Sequence, residues 1–75
     1  MPPKELAYRT AEGAEIYLLW HQADNRLTVV VDDTHPEASF VLLVEQNESP
    51  LDVFYHPYAY AARARAGATI LQEVR

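Results

Sequence analysis

The chain contains no cysteine. Disulfide staples and thiolate zinc sites are therefore excluded as sources of stability. Glycine is almost as scarce, Gly13 and Gly67 being the only two, so no glycine-rich loop can cradle a phosphate. Basic residues are few: six Lys and Arg stand against eleven Asp and Glu, a formal net charge of −5. Nucleic-acid phosphates call for a concentrated basic surface, so direct nucleic-acid binding is not expected. No apolar run approaches the ~20 residues that span a bilayer. The first ten residues are polar and charged, unlike a secretory signal. These absences point to a small, acidic, cytoplasmic protein with no membrane association.

What is present must fold within 75 residues. That is near the lower limit for one unassisted core, where about 60–65% of the unfolded surface becomes buried. A single domain over 1–75 is expected. Hydrophobic residues alternate with period two through "LAYRT" (6–10), "AEIYLLWH" (14–21), "RLTVVVD" (26–32) and "SFVLLVE" (39–45). Between these runs stand turn signals: Glu12-Gly13, "QADN", and "DTHPEA" with Pro36. Four strands at this spacing read as an antiparallel meander. Ser49, Pro50 and Asp52 then form a helix start, and Gly67 a stop, giving one helix over 50–66. The fold class expected is α+β, in the order ββββα. Residues 68–75 read as a tail or a short extra strand.

The turns fix which residues stand opposite one another. Tyr8 falls opposite Tyr17, Leu6 opposite Leu19, Trp20 opposite Leu27, Leu18 opposite Val29, Tyr17 opposite Val30 and Val31 opposite Phe40. One face then carries Ile16, Leu18, Trp20, Leu27, Val29, Val31, Phe40, Leu42 and Val44, and is assigned as the core. The other carries Leu6, Tyr8, Tyr17, Leu19, Val30, Val41 and Leu43, with Arg26 opposite Glu45 at its border. A one-sided sheet would be polar throughout that second face. The helix offers one apolar stripe, Leu51, Phe54, Tyr55, Tyr58, Ala61 and Ala62, which covers only the Trp20 layer. The uncovered face is a patch on the order of 400 Å², the size at which partner contacts arise.

The densest stretch is "FYHPYAYAARARAG" (54–67). Pro57 has no N–H, its ring collides with the carbonyl of Val53, and it pushes His56 out of the helical region. The stretch is therefore read first as a bent helix: a short first turn from Pro50 to Tyr55, a kink at His56-Pro57, then a regular helix. A competing reading is a small-ligand cleft or minor active site formed by Trp20, Tyr55, His56 and Tyr58. No metal or cofactor is expected. His21 and His35 lie at opposite ends of a strand, about 20 Å apart, whereas zinc ligands converge at about 2 Å. Asp32, Asp33, His35 and Glu37 share a loop, but without the fixed spacing of a calcium motif. Ser39 and Ser49 lie in no nucleophile motif, and Ser49 is accounted for as a cap.

The run "LAYRTAEGAEIYLLWHQADNRLTVVVDD", with the later "FYHPYAYAARA", resembles small uncharacterised bacterial proteins of ββββα pattern with an FYHP-type helix. The resemblance brings no activity and no catalytic residue with it. The function expected from the residues is a non-catalytic accessory protein, homodimeric through the second apolar face, with another protein as an alternative partner. A last alternative is an acidic mimic bound by a basic protein.

Overall fold

The computed structural model describes residues 2–64. They form four strands, β1 Lys4–Ala11, β2 Ala14–His21, β3 Arg26–Asp33 and β4 Phe40–Leu43, then the helix α1 Pro50–Tyr55. A second helix, α2, runs from Pro57 to residue 64. The strands make one antiparallel sheet in the order β1-β2-β3-β4, so the fold is α+β with the expected meander. The tail or strand expected at 68–75, and the last residues of the expected helix, lie outside the described residues. No helix among the described residues is long and apolar enough to cross a membrane.

Local chemistry explains the turns. Glu12 and Gly13 both take positive φ, 49° and 81°, as a tight two-residue hairpin requires. Asn25 ends the "QADN" turn at φ 55°, and its side chain accepts the Trp20 indole N–H at 3.0 Å. Between β3 and β4, Asp33 pins the loop: its carboxylate accepts the His35 backbone N–H at 2.8 Å. That bond is the main reason the Asp33 pKa is lowered.

The ladder matches most of the expected pairs, including Tyr8 with Tyr17, Trp20 with Leu27 and Val31 with Phe40. Leu6 is a correction. A bulge between Glu5 and Ala7 places Glu5, not Leu6, as the Cα partner of Leu19, with Leu6 the inserted residue. The ladder ends at Thr28–Leu43, short of the expected Arg26–Glu45 pair; the Arg26 guanidinium lies 3.7 Å from the Asp24 carboxylate.

Ile16, Val29 and Val31 are fully buried, joined by Ala14, Leu18, Val53, Phe54 and Pro57. The helical layer deviates from the expected stripe. Phe54 is buried as expected, but Leu51, Tyr55 and Tyr58 are exposed, whereas Val53 and Pro57 turn inward and Tyr60 packs on the core. Ser49 caps α1, accepting the Asp52 N–H at 3.4 Å, with Pro50 in the first turn. The device is repeated seven residues later at His56-Pro57. His56 leaves the helix at φ −131°, ψ 50°, and its carbonyl accepts the Ala59 and Tyr60 N–H groups at 3.2 and 3.4 Å. Pro57 thus opens a new helix rather than bending an old one, and the inward face is reset there. Trp20 is also a correction. It is only half-buried and lies outside the core cluster.

Candidate interaction surface

The outer sheet face is assembled by register alone. Tyr8, Tyr17, Val30 and Val41 are successive Cα partners, so they form one row across all four strands. A second row joins Leu19, Thr28 and Leu43. Six of the seven residues singled out from the sequence therefore share this face; Leu6, inserted at the bulge, has no register partner. Val41 is 62% exposed, Leu6 49%, Tyr8 48% and Leu43 42%, while Tyr17, Leu19 and Val30 are half-buried by their neighbours.

The row is ordered rather than loose. The Tyr8 and Tyr17 rings lie 5.1 Å apart at 43°. The Tyr17 hydroxyl donates to Glu15 at 2.6 Å, and this bond, ahead of desolvation, pushes its pKa up to about 12. Tyr8 is raised as well, chiefly by desolvation and then by the Glu15 charge. At the opposite end of the strands a His21 ring nitrogen lies 2.8 Å from the Thr28 hydroxyl. Both tyrosines are thus neutral across the ordinary pH range, and the row presents apolar and aromatic surface without charge.

The other group of sequence candidates is dispersed. Tyr58 packs edge-on against Phe40 at 5.5 Å. Trp20 lies beside Leu27, whereas Phe40 pairs with Val31, four residues further along β3 and about 13 Å away. Tyr55 meets Phe54 edge-on at 5.1 Å, and His56 is exposed at the break between the helices. These four side chains do not converge on one cleft. A groove of about 780 Å³ opens near the β2–β3 turn, lined by polar residues such as Asp24, Asn25, Glu45 and Glu48 together with Leu27, Leu43 and Val44. Among the described residues, no cluster of three His, Cys, Asp or Glu side chains is arranged to hold a metal.

One residue of consequence was missed in the sequence. Arg9 pairs with Ile16, so its side chain starts from the core face of β1. Its guanidinium donates to the Phe54 carbonyl at 3.2 and 3.1 Å and to the Tyr55 carbonyl at 3.1 Å. In an unbroken helix these carbonyls would accept the amides four residues on; here Ala59 N–H bonds to His56 instead. Arg9 replaces what the break removes, while its charge lies 5.5 and 5.4 Å from the Phe54 and Tyr55 ring centres. The signal was available: alternation puts an arginine on an apolar face, where it needs a specific partner.

Compared with known proteins, the chain matches no family model, no curated protein and no solved structure.

Proposed function

We propose that this chain is a non-catalytic interaction protein that pairs with a second copy of itself across the outer sheet face, acting as an accessory or regulatory factor. The observation that carries the reading is the uncharged row Tyr8, Tyr17, Val30, Val41, which crosses the sheet on the side away from both helices. Two such faces stack about 10 Å apart, and one self-complementary patch is enough for a two-fold dimer. The net charge of −5 opposes association, but at ordinary salt the screening length is about 10 Å, so dispersed surface charges repel weakly.

Val30 lies on an inner strand and in the middle of this face. A lysine there would be desolvated in both subunits at once. Sedimentation at tens of micromolar should give a dimer for the unmodified protein and a folded monomer for Val30→Lys. An unmodified protein that sediments as a monomer overturns the reading.

A further inference from the structure

Along the strands, the outer face is ordered by charge. Every second residue of each strand belongs to it, so the register arranges it in rows. The row nearest the Glu12-Gly13 turn holds Thr10, Glu15 and Asp32, with both carboxylates exposed. Two central rows follow, Tyr8-Tyr17-Val30-Val41 and Leu19-Thr28-Leu43. The one charge within them is Glu5, at the β1 edge opposite Leu19. The row at the "QADN" end pairs His21 with Arg26. Lys4 lies at the same end but pairs with Trp20, so its side chain starts from the inner face. Arg26 and Asp32, six residues apart on β3, thus mark opposite ends of one face about 20 Å long.

We propose that two copies stack on this face with their strands antiparallel, the two-fold axis running across the strands rather than along them. This orientation rests on the dimer reading given above and adds to it how the partner is held. Sheets packed face to face keep their strands nearly aligned, which leaves two choices of axis in the plane between them. An axis along the strands stacks each row on its own copy. Glu15 would then lie over the partner's Asp32, and the carboxylates of both copies would crowd one margin. An axis across the strands turns the rows end for end. Asp32 then stands over the partner's Arg26 and Glu15 over the partner's His21, and each contact is made twice. Like charges facing each other across an interface suppress that arrangement, whereas opposite charges fix the register.

The groups are free to make these contacts. Among the described residues the ion pairs are Arg26–Asp24 at 3.7 Å and His35–Asp33 at 3.4 Å, so neither Glu15 nor Asp32 has a cation within its own chain. Glu15 is held on this face by the Tyr17 hydroxyl. The Arg26–Asp24 contact joins two side chains each 59% exposed, a weak attachment in water. A guanidinium is the cation best suited to a carboxylate across an interface, being a planar fork that sheds water readily. Glu45 and Glu48 line the groove beside Arg26, but they follow the last ladder pair, Thr28–Leu43, and so lie at the rim. Glu5 falls over the partner's Tyr8, a hydroxyl donor rather than another acid.

Charge exchange within β3 tests the orientation. Sedimentation equilibrium would compare the unmodified protein with Asp32→Arg, Arg26→Asp and the double variant, with Val30→Lys as the monomer reference and circular dichroism as the check on folding. Each single change turns two attractions into two repulsions and should weaken the dimer on the order of tenfold. The double variant should return to within about threefold of the unmodified protein. Asp32→Arg also makes the chain less acidic, so a general charge effect would tighten the dimer instead. The same exchange on β2, Glu15→Lys with His21→Glu, repeats the test should a β3 variant fail to fold. A dimer that Asp32→Arg strengthens has its axis along the strands and overturns this orientation. A dimer indifferent to the exchanges, or one the double variant fails to restore, overturns it as well, and in all three results the dimer itself stands. An unmodified protein that sediments as a monomer overturns both.

Discussion

Val29, Val30 and Val31 are the same side chain three times over in one strand, and the two faces of the sheet use them in opposite ways. Val29 and Val31 are fully buried beneath α1. Val30 stands on the outer face between Tyr17 and Val41, half in solvent. Composition cannot separate them, and hydropathy ranks them equally. What separates them is which face the helices cover, and that follows from a single period-two alternation. The inner face stabilises the fold, since each fully buried valine contributes about 1.5–3 kcal/mol. The outer face adds little to the fold and, among the described residues, is left uncovered by the helices.

The largest expected effect comes from putting the same charge on each face. Val31→Lys places an unpaired ammonium in the dry layer, at a cost of about 3–5 kcal/mol. A domain of this size has about 4–8 kcal/mol in total. Urea unfolding followed by circular dichroism should show the cooperative transition of Val31→Lys lost or moved close to zero denaturant. Val30→Lys should unfold within about 1 kcal/mol of the unmodified protein, as a surface substitution does. Equal stability of the two variants would mean that the helices do not distinguish the faces.

Arg9 is the exception on the inner face, a charge tolerated because two broken-helix carbonyls need donors. Arg9→Met keeps the aliphatic bulk and leaves the Phe54 and Tyr55 carbonyls without it. The expected loss is about 2–3 kcal/mol, from hydrogen bonds to a charged, partly buried group. Arg9→Lys should recover only part, since an ammonium lacks the planar fork that reaches both carbonyls. Urea midpoints of the three proteins would measure this. Unchanged stability in Arg9→Met would show that solvent satisfies the broken turn unaided.

Local signals carried the legible part of the fold. Gly13 at a two-residue turn and the polar "QADN" turn set three strands in register, and Ser49-Pro50 marked α1. Six of the seven outer-face residues followed from that register; Leu6 did not, because the bulge between Glu5 and Ala7 inserts it. What could not be read was long-range. The Arg9 carbonyl contacts join residues 45 and 46 positions apart, and no local spacing encodes them. Periodicity carried straight through Pro57 selected Leu51, Phe54, Tyr55 and Tyr58 for burial; Phe54 is buried, but the other three are exposed and Val53 and Pro57 turn inward instead. Trp20 occupies the expected face, but it is only half-buried there and lies outside the core cluster. Trp20→Ala should therefore cost about 1–2 kcal/mol, below the 3–5 of a filled core site. Indole emission should report partial exposure to water, and a strongly blue-shifted band would place the ring back in the core.

The smallest effect belongs to the outer face and is electrostatic. Tyr17 is pushed from 10.0 up to about 12, first because its hydroxyl donates to Glu15, then because neighbouring side chains displace water. The folded state thus favours the protonated phenol. Its contribution to stability is complete below pH 10 and is lost as pH rises from there through about 12. Glu15→Gln removes the carboxylate that holds the proton, and it also relieves Tyr8, which the same charge raises. In that variant tyrosinate absorbance should develop at lower pH, and the alkaline loss of stability should become shallower. Tyr17→Phe should delete the latest phase of the titration altogether. Neither substitution touches Val29 or Val31, so urea midpoints at neutral pH should stay close to those of the unmodified protein. If the face is also the dimer contact, ionising Tyr17 would place a charge in a dry interface. Its titration should then shift upward with protein concentration in the unmodified chain, but not in the Val30→Lys monomer. A titration unaltered by Glu15→Gln would show that the hydroxyl is not bonded to that carboxylate in solution.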